Sequence, residues 1–302
     1  MEKRSGGHTP QLISREAHGL IMRRSGILTY ILFAALLIIA LVAIIRMALP
    51  KPVDEHAGQV YLNDGFDMIW ITPWENVPVS NLTEKDFRND TGRPVYTGSD
   101  YRVETGIDVS EHQWGVDWSL ASSEIDFAYV RLGYRGYTEG GLFLDPWYEQ
   151  NIAGAAAAGL DTGVYFFSQA TNVSEAIEEA EFVIEHLQGF RVNLPVIFDW
   201  EKIEEGGART DNLNEQSLTD CAVAFCRTIE RAGYDAGVYF NRRLGYHGFD
   251  LSRLADYTLW ISAPGDFPDY YYACEFWQYS FNGAVSGVTG DADMNLRFIP
   301  VE

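Results

Sequence analysis

From Thr105 onward the chain alternates between short apolar runs of strand length and longer stretches with helical period. "TGIDVS" reads as a strand, followed by a short helix near Trp118, and "IDFAYVRLG" as the next strand. "DPWYEQNIAGAAAAG" has helical spacing, with Pro146 near its start and Gly159 past its end. "TGVYFFS" is a third strand. "NVSEAIEEAEFVIEHLQG" is a helix with Asn172 and Glu175 as a capping pair and Gly189 as a stop. "LPVIFDW" is a fourth strand, "NEQSLTDCAVAFCRTIERAG" a long helix and "DAGVYFN" a fifth strand. After Leu254 the helices fade, and "YTLWISA", "CEFWQYS" and "ADMNLRF" read as three strands joined by loops. Alternating strands and helices specify a largely parallel sheet with helices outside. The expected fold is α/β, a TIM-like (β/α) barrel with eight strands and helices mainly between the first five. A doubly wound open sheet is the alternative.

A different pattern precedes this. Ile27 to Ile45, "ILTYILFAALLIIALVAII", is nineteen residues without a charge. At 1.5 Å per residue it spans about 28 Å as a helix, close to the hydrocarbon thickness of a bilayer. Lys3, Arg4, Arg15, Arg23 and Arg24 lie before it. Arg46 and Lys51 follow, then Asp54 and Glu55. The positive-inside rule then places the N-terminus in the cytoplasm and the rest outside. A cleaved signal peptide is the rival, although "RMALPKP" offers no clean small-x-small site. The expected organisation is a cytoplasmic tail over 1–24, a transmembrane signal anchor over 25–49, an extracytoplasmic spacer or small accessory segment over 50–104, and a catalytic barrel over 105–302. The third segment, with "DMIWITPWENVPVS" broken by Pro73 and Pro78, is the hardest to read.

Charge narrows the partners. A formal net charge of −21 leaves no basic stripe for phosphates, which argues against nucleic acid. Three cysteines, Cys221, Cys226 and Cys274, make a poor disulfide framework and read as small buried hydrophobes. No Cys/His metal spacing occurs, and no cofactor is expected.

In a βα barrel, reactive groups gather at the C-terminal ends of the strands. Asp108 ends the first strand, Asp199 and Glu201 end the fourth, and Asp293 lies in or beside the last. First and last strands of a closed barrel are neighbours, so Asp108 and Asp293 are expected close together. Residues two apart on a strand share a face, so Asp199 and Glu201 point to one side and Trp200 to the other. Tyr165, Phe167, Tyr239, Asn241, Trp260, Trp277 and Gln278 fall near the same rim. Aromatic faces and amides suit sugars, although each aromatic taken alone is as easily barrel core. Several carboxylates at strand ends are harder to assign to folding, because unpaired buried acids are destabilising. A Mg²⁺ or Ca²⁺ site is the other functional reading of clustered acids.

Taken in order, "GIDVSEHQWGVDW", "FAYVRLGYRG", "AGLDTGVYFFS", "LPVIFDWE", "GVYFN", "LWIS", "FWQYS" and "GVTGDADMN" resemble the family 25 glycoside hydrolases, the Chalaropsis-type lysozymes. The resemblance covers about Thr105 to Phe298. It implies a flattened barrel whose last three strands lack helices. It also implies hydrolysis of the β-1,4 bond between N-acetylmuramic acid and N-acetylglucosamine in peptidoglycan glycan strands. The family's acidic positions fall on Asp108, Asp199, Glu201 and Asp293. By resemblance Glu201 is the general acid, Asp199 stabilises or orients the reacting sugar, and Asp108 and Asp293 support them. Two departures stand out: Phe166 where many relatives carry His, and "WISAPG" after the sixth strand. "DWE" also ends the motif of chitinase-like enzymes, which place another Asp where this chain has Ile197. A silent wall-binding barrel and a glucosaminidase or chitinase-like hydrolase are the alternatives.

Overall fold

The computed structural model describes residues 12–49, 55–89, 92–204 and 206–301, with side chains from residue 26. Lys3, Arg4, Lys51 and Asp54 of the expected membrane flanks lie outside them. The chain divides into two compact units, Met1–Ala57 and Gly58–Glu302.

In the first unit a single helix, α1 (Leu12–Ala48), contains a 23-residue span from Gly26 to Ala48 long and apolar enough to cross a membrane. Its side chains from Ile27 to Leu49 are exposed all round.

The second unit opens with two small antiparallel hairpins. These are β1 (Val60–Asn63) with β2 (Met68–Ile71), and β3 (Phe87–Arg88) with β4 (Val95–Tyr96). Both belong to the same compact unit as the barrel. Val79 bridges to Tyr272, and the Phe87 ring meets Trp277 at 5.6 Å.

The barrel follows. Its elements are β5 (Tyr101–Val109), α2 (Trp118–Ala121), β6 (Phe127–Arg135), β7 (Leu142–Leu144), α3 (Tyr148–Ala157), β8 (Asp161–Ser168), α4 (Val173–Leu187), β9 (Val196–Trp200), α5 (Glu215–Arg231), β10 (Ala236–Asn241), α6 (Arg242–His247), β11 (Thr258–Ser262), β12 (Phe276–Gly283) and β13 (Ala292–Pro300). The strand order is β5-β13-β12-β11-β10-β9-β8-β6, closed by pairing of β5 with β6. All eight expected strands are present. The sequence pattern missed β7, a short strand antiparallel to β6, and the first four residues of β5.

Local chemistry explains the helix ends. Asn172 caps α4 by accepting from Glu175 N at 3.1 Å, and Asn214 caps α5 by accepting from Ser217 N at 2.8 Å. Gly159 and Gly189 end α3 and α4 at positive φ, where other residues are strained. The apolar faces of these helices pack on the outer surface of the barrel, and the three cysteines are free thiols, two of them buried within α5.

One topological feature departs from a uniform parallel barrel. β13 runs antiparallel to both neighbours, β12 and β5. Its beginning therefore lies at the end of the barrel where the other strands finish. That reversal brings Asp293, the second residue of β13, into register with Asp108 near the end of β5.

Candidate active site

Strand parity builds the site in two layers. Inward positions one step down from the rim carry Phe127, Tyr129, Ile197, Tyr239, Trp260 and Phe276, with Tyr165 against them, forming a separate aromatic cluster inside the barrel. Room for these rings comes from glycines on facing strands. A Cβ at Gly106 would sit 2.4 Å from the Phe127 ring, and one at Gly163 would sit 2.3 Å from Tyr129. Nearer the rim, polar groups take the inward positions: Asp108 on β5 two after Gly106, Arg131 on β6 two after Tyr129, Asp199 on β9 two after Ile197, and Gln278 on β12 two after Phe276. With Glu201 and Asp293 they line one cleft of about 650 Å³, within the size range of small-ligand sites.

All four predicted acids therefore meet, as do Tyr165, Phe167, Tyr239, Trp260 and Gln278. Two predicted residues do not join them. Trp277 is adjacent to Gln278, so the strand's period of two turns it outward. There it is fully buried against Phe87, Phe298 and Tyr279, and its Nε1 donates to Ala263 O at 2.8 Å. Asn241 ends β10 but turns to cap α6, accepting from Leu244 N at 3.0 Å. Ile197, at the position where a chitinase-like motif needs a third acid, is part of the apolar floor.

The carboxyls are crowded, and among the described residues none is ion-paired, although the Arg131 charge in the same cleft pulls against the rise of Asp199. Asp108 Oδ2 accepts from Gln278 Nε2 at 2.9 Å and from Asn295 Nδ2 at 2.8 Å. Asp293 also hydrogen-bonds to Asp108, which requires one of the two to be protonated. Burial pushes Asp108 up to about 6, against the pull of these three hydrogen bonds. Burial, together with the charge of Asp108 and the bond to it, pushes Asp293 up to about 8. The two acids therefore titrate as a coupled pair, with Asp293 raised further than Asp108. Asp199 is only 4% exposed and its Oδ1 has no hydrogen-bond partner. Burial raises it well above the usual carboxylate range, with Glu201 and Asp108 adding to the effect. Burial, reinforced by Asp108, raises Glu201 to about 7.

Several cleft residues escaped the sequence reading. Arg131 donates from Nε to Asp145 at 2.9 Å and from Nη2 to Glu111 at 2.9 Å, and lies 5.2 Å above the Tyr134 ring. Its signal was a lone cation inside the apolar run "FAYVRLG", two positions after the inward Tyr129. Tyr134 and Tyr137, on and beyond the end of β6, complete the wall.

Comparison with known proteins agrees with this architecture. Lysozyme M1 of Streptomyces globisporus is 30% identical over 201 residues, covering 63% of this chain and 66% of the relative. The modular autolysin LytC from Streptococcus pneumoniae, solved in complex with a synthetic peptidoglycan ligand, superposes with a TM-score of 0.55 at 25% identity. That match covers 65% of this chain and 46% of LytC. A family 25 glycosyl hydrolase from Bacillus anthracis shares the fold with a TM-score of 0.54 at 20% identity, over 67% of this chain and 90% of its own. The chain thus spans just under two-thirds of Lysozyme M1 and less than half of LytC. A family model, Glycosyl hydrolases family 25, matches residues 107–288. That match takes in more than half of the chain, and the protein belongs to glycosyl hydrolases family 25.

Proposed function

We propose that the protein is a membrane-anchored peptidoglycan hydrolase, a lysozyme. It would cleave the β-1,4 bond between N-acetylmuramic acid and N-acetylglucosamine, with Glu201 as general acid and Asp199 orienting the reacting sugar. The observation that carries this reading is the unpartnered Oδ1 of Asp199 beside a Glu201 carboxyl raised to about 7. A buried acceptor without a donor is unfavourable unless a ligand supplies one. The acetamido N–H of an N-acetylated sugar is such a donor. Its arrival favours the charged form of Asp199, and that nearby charge helps keep the proton on Glu201.

Glu201 protonates the glycosidic oxygen as the C1–O bond breaks, a role that needs an acid still protonated near neutral pH. The oriented acetamido oxygen attacks C1 from the opposite face and forms a cyclic intermediate. Glu201, now ionised, takes a proton from the water that opens it. Asp108 stays charged and contributes negative potential where positive charge develops on the sugar. The aromatic floor of Tyr239 and Trp260 packs beneath the ring face. Peptidoglycan as the substrate is supported by the relative named a lysozyme and by LytC's peptidoglycan ligand complex.

The Gly26–Ala48 span supports anchoring, with residues 1–24 cytoplasmic and the barrel facing the wall. A tethered hydrolase reaches only nearby wall, which suits remodelling of the cell's own peptidoglycan. Analysis of digested peptidoglycan tests the activity. New muramic acid reducing ends are expected. Glucosamine-type ends would make it a glucosaminidase, and no new ends would make it a silent wall binder.

A further inference from the structure

The β8–β9 ladder ends at the Ser168–Trp200 pair. Glu201 is the next residue and begins a loop, so no strand partner fixes its main chain. The next rung is supplied by a side chain. Gln169 Nε2 donates to the carbonyl of Glu201 at 3.0 Å. The other end of the same amide is also used: Gln169 Oε1 accepts from Thr210 Oγ1 at 2.6 Å. Gln169 is fully buried and Thr210 nearly so. One amide therefore ties together the two ends of the 201–210 segment.

The chain beside Gln169 and the chain beside its partner Thr210 are held as well. Ser168 donates to Glu179 at 2.6 Å, and Glu179 is ion-paired to Arg135 at 2.7 Å. Arg209, beside Thr210, pairs with Glu175 at 2.6 Å and donates to the Gln169 carbonyl at 3.4 Å. Its main-chain N–H donates to Tyr137 O at 2.9 Å, joining the segment to a residue that lines the cleft.

We infer that Gln169 is a positioning residue for the reaction: its side-chain amide, clamped by Thr210, sets where the Glu201 carboxyl stands relative to the scissile oxygen. The inference rests on Glu201 being the proton donor. Gln169 lines no part of the cleft, so it acts through Glu201 rather than on the sugar. A displacement of about 1 Å in a reacting group is worth about a hundredfold in rate.

The test uses the full chain and two substrates. One is peptidoglycan, whose leaving sugar needs a proton. The other is the 2,4-dinitrophenyl glycoside of the N-acetylglucosaminyl-N-acetylmuramic acid disaccharide, whose leaving group does not. Gln169→Ala is expected to lose about ten- to a hundredfold in kcat and in kcat/KM on peptidoglycan with KM within about twofold, and to come within about threefold of the unaltered protein in kcat/KM on the dinitrophenyl glycoside, which reports leaving-group departure and not the later water step. Thr210→Val, which removes only the clamp, is expected to lose about three- to tenfold with the same dependence on leaving group. Unchanged turnover of peptidoglycan, equal losses on both substrates, or a loss confined to KM would overturn the inference. If Gln169→Ala does not fold, Thr210→Val carries the same outcomes. Glu201→Gln run alongside separates the two levels. Peptidoglycan turnover by that variant removes the proton-donor reading itself, whereas an inactive Glu201→Gln beside an unaffected Gln169→Ala removes only the role of Gln169.

Discussion

Two groups of buried carboxylates lie close to each other in this barrel, and they are treated in opposite ways. Beneath the rim, Glu179 is wholly buried but fully partnered. One oxygen pairs with Arg135 at 2.7 Å, the other accepts from Ser168 at 2.6 Å, and the same guanidinium holds Glu178 at 2.7 Å. In the cleft, Asp108, Asp199, Glu201 and Asp293 face one another, and among the described residues no lysine, arginine or histidine forms an ion pair with any of them. Burial raises Glu179 and Glu201 alike to about 7. A raised pKa therefore does not separate the groups; the partners do. The first network satisfies its acids within the fold, while the second leaves an acceptor open for something the fold does not contain.

If that distinction is right, Glu201→Gln will remove activity without harming the fold. Peptidoglycan turnover is expected to fall at least about a thousandfold, the upper range for loss of a general acid. The thermal midpoint should stay level or rise, because a neutral amide replaces a group crowded by like charge. A variant that keeps turnover, or that unfolds, would place Glu201 with the structural acids.

How much of this could be read beforehand follows from which distances matter. Asp199 and Glu201 share a face through a period of two, which the local sequence contains. The same rule, applied strictly, excludes Trp277 once Gln278 is placed inward. Asn241 obeyed strand parity but lost its side chain to a helix cap, a competition decided three residues further on at Leu244. Asp293 was correctly put beside Asp108 by closure of the barrel, yet the reversal of β13 that makes this possible has no local signature. Gln169 was out of reach altogether: its partners are 32 and 41 residues away and its own neighbours are ordinary strand and loop residues. The strands and the acid-bearing ends were legible because they follow periodicity. The partners were not, because tertiary hydrogen bonds decide them.

On the structural side of the comparison, Arg135→Met should cost stability. Removing the cation leaves Glu179 buried against Ser168 alone, and breaking such a pair typically destabilises by about 3–5 kcal/mol. The low end applies, about 3 kcal/mol, because Glu179 can take up a proton near neutral pH. Adding Glu179→Gln to that variant removes the stranded charge and should recover part of the loss. Urea unfolding of the unaltered protein, the two single variants and the double variant checks this. A fully additive double variant would mean that the pair is not coupled.

The smallest effect is also the most specific to the cleft. Asp108, Glu201 and Asp293 have raised values in the fold, to about 6, 7 and 8, against ordinary carboxyls in the unfolded chain. The folded state therefore holds protons that the unfolded state has released, and stability is greatest below the unfolded values and falls as pH rises through 6 to 8. Cation-paired Glu175 behaves oppositely: its hydrogen bonds to Arg209 and Thr171 lower it despite burial, so its contribution is lost only as pH falls into the acid range. Between pH 6 and pH 8 Glu175 therefore separates from the cleft acids, whereas Glu179, raised to about 7, declines with them, so the cleft's share is isolated by substitution within the cleft. Asp293→Asn should flatten the decline in unfolding free energy over that window by about 1 kcal/mol, because a tenfold change in proton affinity is worth about 1.4 kcal/mol. It should leave the acid limb, to which Glu175 contributes with Asp64 and the other lowered carboxyls, where it was. An unchanged decline would mean that Asp293 does not hold the pair's proton, and that Asp108 and Asp293 are both ionised in the folded protein at neutral pH.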